Sequence, residues 1–283
     1  MRLMQSALIL LLSCLPLLAQ AQSKLDQSKF YRFERQDLVS PDGQRHYRLD
    51  IATPKRAAPA AGYPVIYMLD GNAVLSTLRE KWLAELDAAN PPVLVMIGYE
   101  IDDDYDMPQR TRDYTGVGTG DFLQLIQAQI KPLIEQQNTI DRGNQTLWGH
   151  SFGGLFVVDA LLAQPQAFQN WIAASPSLWF QPDAFATGKA FKGVDDGSMR
   201  LVLMMRGSKE GKPPIAAFDD GSAERRKAMS AVPADAVRQL AHALNKLPGM
   251  KVSYQEFPGL NHGEVFAASL HPALRVAAGL PEK

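Results

Sequence analysis

Gly149-His150-Ser151-Phe152-Gly153-Gly154 sets a serine among small residues, directly after the apolar segment Gln145-Thr146-Leu147-Trp148 and before the helix-like run 155–163. A Gly-x-Ser-x-Gly pattern between strand and helix forces the serine into a strained, exposed turn. Its Oγ then stands clear of the sheet, and the next backbone N–H can face an oxyanion. Ser151 is the expected nucleophile. The pattern alone also describes an ordinary strand-to-helix turn, so the flanking elements carry the weight. A serine needs a base, which in this order follows the last strand. Gly259-Leu260-Asn261-His262-Gly263 comes directly after the strand-like run 252–257, in a turn whose glycines let an imidazole project over the sheet edge, so His262 is the expected base. His46 falls in a hairpin strand, His150 faces away from substrate, His242 sits mid-helix and His271 precedes Pro272. No pair of them has metal-ligand spacing on one helix face.

The acid that orients the imidazole belongs in the loop after the penultimate strand, which holds Glu210, Asp219 and Asp220. Glu210 is nearest the strand end and preferred; Asp219, Asp220 or no carboxylate at all are the alternatives. An oxyanion needs two N–H donors. One is Phe152; the other is expected from Leu69-Asp70-Gly71-Asn72, as the N–H of Asn72 made accessible by the bare backbone of Gly71. Asp70-Gly71-Asn72 also reads as a plain turn.

These residues need a scaffold. Segments 31–39 and 46–51 alternate like strands around the turn Ser40-Pro41-Asp42-Gly43, an antiparallel hairpin. Apolar runs at 65–69, 93–97, 147–148, 171–174, 201–205 and 252–257 then alternate with helix-length segments at 74–89, 120–137, 155–163, 234–247 and 265–278, with a kink expected at Pro132. Such alternation predicts an α/β fold: a mainly parallel central sheet with an antiparallel N-terminal hairpin and helices on both faces. Stretches 181–198 and 207–233 fit the alternation poorly, and the second is expected to wall the pocket.

A chain of 283 residues with 46% hydrophobic content can bury one large core. Met1-Arg2, the apolar stretch 8–18 and Ala19-Gln20-Ala21 form a secretory signal, so residues 1–21 are expected to be removed and 22–283 to form a single catalytic domain. Leu11-Leu12-Ser13-Cys14 has the outline of a lipoprotein site, but the apolar run continues through residue 18. Cys14 is the only cysteine, so the mature chain has no thiol for a disulfide or a nucleophile. A formal net charge of -1 provides no global basic field for nucleic acid. No protein partner is evident. Residues 102–106 are rich in Asp but lack the glycine and terminal glutamate of a calcium loop.

Tyr67-Met68-Leu69-Asp70-Gly71-Asn72, Arg110-Thr111-Arg112-Asp113-Tyr114-Thr115, the Ser151 elbow and Ser175-Pro176-Ser177-Leu178-Trp179 occur in the order seen in the putative-esterase (esterase D-like) family of α/β-hydrolases. Over about residues 30–278 the chain resembles, within that family, the periplasmic enterobactin-type siderophore trilactone esterases. The resemblance implies an α/β-hydrolase fold, Ser151 and His262 as catalytic, Phe152 with Asp70-Gly71-Asn72 as the oxyanion site, and Arg110 as a substrate contact. It also implies an acid that is poorly placed or absent. A ferric tris-catecholate is an anion, so an arginine fork at Arg110, beside Arg112, would attract it; for Arg112, pairing with Asp113 or with the acidic Asp102-Asp103-Asp104 is the competing reading. Trp179 and Phe180 could stack on a dihydroxybenzoyl group or pack as core rim. The reaction expected is serine ester hydrolysis of a small-molecule catecholate siderophore, in its ferric form, in the periplasm, with no cofactor. A general short-acyl carboxylesterase or thioesterase is the alternative, and a hydrolase-fold carrier that binds without turnover is a third reading.

Overall fold

The computed structural model describes residues 27–210 and 223–282. Asp219, Asp220 and the signal segment 1–21 lie outside the described residues.

Strands β1 (Tyr31–Val39) and β2 (His46–Pro54) form the expected hairpin, with Gly43 at φ 71° in its turn. β2 pairs antiparallel with β4 (Val93–Tyr99), which lies parallel to β3 (Tyr63–Leu69). β5 (Ile140–His150), β6 (Asn170–Ala174), β7 (Arg200–Gly207) and β8 (Met250–Phe257) continue the parallel sheet, giving the order β1-β2-β4-β3-β5-β6-β7-β8. β3 and β4 are buried along their whole length, which is why they read as unbroken apolar runs. Side-chain period two divides them between two cores. Val65, Tyr67, Leu69, Val95 and Ile97 face one core, while Ile66, Met68, Leu94, Met96 and Trp148 face the other.

Helices cover both faces. α1 (Gly71–Thr77), α2 (Glu80–Asp87) and α10 (His262–Ala277) close the second core through Val74, Leu83 and Leu270. On the first lie α3 (Met107–Tyr114), α4 (Gly118–Leu125), α5 (Lys131–Gln137), α6 (Phe152–Ala163), α7 (Pro182–Ala190) and α9 (Ala236–Leu244). α8 (Ala223–Ala231) precedes α9.

The expected helix 74–89 is two helices, because Leu78 and Arg79 are extended and the Ser76 and Thr77 hydroxyls donate back to Ala73 O, competing with the backbone ladder. At Pro132, where a kink is expected, the helix passes through a π turn over Ile126–Ile130 that runs directly into α5, with the proline at its second position. Three helices were not expected: α3, α7 and α8, the last within the stretch 207–233. α3 and α7 both carry a proline at their start, and Asp106 caps α3 by accepting from Gln109 N at 2.9 Å.

Candidate active site

Ser151 joins β5 to α6 at φ 61°, ψ −116°, a backbone state that costs a non-glycine residue about 1–3 kcal/mol. The elbow is braced from β6: Ser151 N donates to Ala174 O at 3.0 Å, and Ser177 N donates to Ser151 O at 3.1 Å. Its tightness requires Gly149, since a Cβ there would come within 2.3 Å of Gly153 O.

His262 was expected in a glycine-rich turn; it is the first residue of α10. Asn261 caps that helix by accepting from Glu264 N at 3.1 Å, and Glu264 Oε2 accepts from Asn261 N at 2.8 Å. Asn261-x-x-Glu264 is a capping box, a signal legible in the sequence. The helix start aims the imidazole at the elbow, with Nε2 at 2.9 Å from Ser151 Oγ. On the other side Nδ1 lies 3.3 Å from Glu210 Oε2.

Glu210 sits in the turn after β7. Its Oε1 accepts from Gly207 N at 2.5 Å and from Ser175 Oγ at 2.6 Å, and its backbone O accepts from Arg206 Nη2 at 2.9 Å. Burial alone would raise its pKa, but the His262 hydrogen bond and charge, with the Ser175 and Gly207 donors, outweigh burial and hold the carboxyl below the usual glutamate value. It is therefore ionised at neutral pH. The structure brings Glu210 to the histidine, unlike the badly placed or missing acid that the resemblance implied.

His150, expected to face away from substrate, lies against His262 from beneath. Burial first, and the His262 charge second, push its pKa well below the usual histidine value. The neutral ring donates from Nε2 to His262 O at 2.8 Å and meets the His262 ring at a centroid distance of 4.8 Å.

Phe152 opens α6, and Gly71 and Asn72 open α1, so all three N–H groups sit at helix N-termini, without intrahelical acceptors and at the positive end of the dipole. The two helix starts are neighbours: a Cβ on Gly153 would lie 3.7 Å from Asp70 Oδ2. Asn72 spends no side-chain group on the site. Its Oδ1 accepts from Tyr99 N at 3.0 Å and its Nδ2 donates to Tyr99, Ile101 and Asp103 carbonyls, locking α1 to the end of β4. Gly71 must be glycine, because a Cβ would meet Met96 C at 2.6 Å.

Arg110 differs most from expectation. Its Nε and Nη2 each donate to an Asp70 carboxylate oxygen at 2.9 Å, and both side chains are buried. The guanidinium lies 5.4 Å from the Tyr105 ring, 5.5 Å from Tyr114 and 5.4 Å from Phe152. The fork expected on a substrate catecholate is thus closed on Asp70, and the pair carries no net charge. Arg112, two residues on, projects from another face of α3; it is half exposed and pairs with Asp113 at 3.5 Å. That ion pair is the competing reading expected for Arg112.

Trp179 and Phe180 flank the elbow, with ring centroids 6.3 and 4.7 Å from Phe152. Phe180 is exposed, as are Tyr105 and Met107 beyond Arg110, giving the site an aromatic rim. Sequence reasoning had not assigned roles to His150, Ser175 or Ser177, whose Oγ lies 3.3 Å from Ser151 Oγ.

A mainly parallel eight-stranded sheet with its serine elbow after β5, a carboxylate after β7 and a histidine after β8 defines the α/β-hydrolase fold. The chain matches the Putative esterase family over residues 40–276 and belongs to it. It is 33% identical to the apo-salmochelin esterase of Escherichia coli O6:H1 (strain CFT073) over 300 aligned residues, covering 95% of this chain and 90% of that protein. The ferri-bacillibactin esterase BesA of Bacillus subtilis is 31% identical over 267 residues, 85% of this chain and 87% of BesA. Among solved structures, enterobactin hydrolase IroE in complex with DFP superposes with a TM-score of 0.70 at 32% identity, covering 89% of this chain and 97% of IroE. The expected esterase D-like resemblance, fold and serine ester-hydrolase class are borne out.

Proposed function

We propose that this chain is an exported serine esterase that opens the ester bonds of an enterobactin-like catecholate trilactone, giving linear dihydroxybenzoylserine products and easing release of bound iron. The observation that carries the chemistry is the 2.9 Å approach of His262 Nε2 to Ser151 Oγ. Relatives named for salmochelin, bacillibactin and enterobactin support the substrate class over a general short-acyl esterase.

Ser151 Oγ attacks the ester carbonyl carbon as its proton passes to His262 Nε2, while Nδ1–H stays bonded to Glu210, whose charge stabilises the imidazolium. The N–H of Phe152, with Asn72 and Gly71, receives the oxyanion. Collapse breaks the ester C–O bond, and the leaving alkoxide takes the proton from Nε2. Water then gives a proton to His262 and its oxygen to the acyl carbon; the second collapse frees the carboxylic acid and restores Ser151. A pure carrier has no use for this geometry.

Arg110 and Arg112 were expected to attract the ferric anion. With Arg110 closed on Asp70 and Arg112 paired with Asp113, the reading rests on the trilactone esters and the aromatic rim at Trp179. Export rests on the signal in residues 1–21, with a mature start at Gln22. Among the described residues no helix is long and apolar enough to cross a membrane. The periplasm is the proposed compartment.

The test incubates residues 22–283 with ferric and iron-free enterobactin and with a p-nitrophenyl ester, beside Ser151→Ala, and follows products chromatographically. Ser151-dependent linearisation of a trilactone with kcat/KM well above that of the simple ester is expected. Turnover of the simple ester alone would remove the siderophore assignment.

A further inference from the structure

The mechanism above leaves Ser175-Pro176-Ser177 unused, yet this segment reaches both ends of the catalytic chain. It follows β6, which lies between β5 with the nucleophile and β7 with the acid. Ser175 is 1% exposed and held at φ 45°, in the left-handed region where a residue with a Cβ is strained. Its N–H donates to Met205 O in β7 at 2.7 Å, and its Oγ donates to Glu210 Oε1 at 2.6 Å. The same Oε1 accepts from Gly207 N at 2.5 Å, so it carries two donors, and Oε2 is the oxygen turned toward His262 Nδ1. Two residues further on, Ser177 N holds the Ser151 carbonyl at 3.1 Å.

Glycine would fill the Ser175 backbone state without strain. What serine adds there is the hydroxyl. We propose that Ser175 is a positioning residue for the catalytic acid: its hydroxyl, together with Gly207 N–H, holds the Glu210 carboxylate so that Oε2 stays on His262 Nδ1 while the imidazole gains and loses its proton. The inference rests on Glu210 being the acid. Without the hydroxyl, Oε1 keeps one donor and the carboxylate can rotate about its last bond. A misplacement of about 1 Å in such a group can cost up to about 100-fold in rate.

Ser175→Gly is the informative variant, because it removes the hydroxyl while relieving the backbone. The expected result is an unchanged or raised Tm, kcat on the p-nitrophenyl ester lowered about tenfold to 100-fold, and KM within about twofold. A residue serving only as a turn would show no loss of kcat. Ser175→Cys keeps the side-chain volume but offers only a weak S–H donor, and it covers the case in which the glycine variant folds poorly. Either variant in the Glu210→Ala background is expected to add no further loss. Wild-type kcat in a folded Ser175 variant, with Glu210→Ala impaired, overturns the positioning role and leaves the acid in place. Wild-type kcat in Glu210→Ala itself overturns the acid reading and this inference with it.

Discussion

Replacing Arg110 with Ala separates two accounts of that residue. As a free fork on a catecholate, its loss would leave the fold intact and spare small neutral esters. In the structure, however, its side chain is 6% exposed and that of Asp70 1%, with both carboxylate oxygens held by the guanidinium. Removing one partner of a buried pair strands the other charge, at about 3–5 kcal/mol. At about 2–4 °C per kcal/mol for a domain near this size, the expected drop in Tm is about 6–20 °C. Asp70 also sits at φ 54° immediately before the Gly71 and Asn72 N–H groups, and Arg110 lies against the Phe152 ring. The loss should therefore lower kcat on the trilactone and on a p-nitrophenyl ester alike. Asp70→Asn with Arg110→Met removes both charges, and asparagine tolerates the left-handed backbone, so the pair should recover most of the lost stability. Differential scanning calorimetry with steady-state kinetics on both substrates tests this. An Arg110→Ala protein melting within about a degree of wild type, yet selectively defective on the trilactone, would refute the structural account and restore the substrate contact.

Glu210 has a lowered carboxyl pKa, so its ionised form contributes stability above the ordinary glutamate value that is lost as pH falls through the folded pKa. The Tm difference between wild type and Glu210→Gln should shrink on titration below about pH 4. Asp159 runs the other way: burial raises its carboxyl to about 6, with a hydrogen bond from Gln181 opposing. Its ionisation therefore costs stability progressively from about pH 4 upward and in full above the raised value, and Asp159→Asn should stabilise above about pH 6 by on the order of 2 kcal/mol while changing little below pH 4. Equal denaturant midpoints at the two pH values would contradict that. Trp179→Ala should raise KM for a dihydroxybenzoyl ester about two- to tenfold, the worth of one aromatic contact, and leave KM for an acetyl ester unchanged; equal effects on both esters would assign Trp179 to packing.

Much of this site could be read because it is built from local devices. The Gly-x-Ser-x-Gly elbow, the Ser40–Gly43 turn and the apolar strands β3 and β4 each follow from sterics or burial within a few residues. The capping box that starts α10 at His262 was equally local and went unread, as did the proline-led starts of α3 and α7. Glu210 was preferred over Asp219 and Asp220 only for its nearness to the strand end, because any carboxylate in that loop satisfies the pattern; the donors on its Oε1 and the approach of Oε2 to His262 depend on contacts distant in the sequence.

Residue types and short spacings are enough to single out a candidate nucleophile, a candidate base and the parallel sheet that carries them. They do not specify which charge meets which. Arg110 finds Asp70 from 40 positions away, His150 reaches His262 across 112, and Ser175 reaches Glu210 across 35. An ionic or hydrogen-bonding side chain is satisfied by any partner of suitable chemistry, and only the sheet order and the packing of helix starts against it determine which partner is within three ångströms.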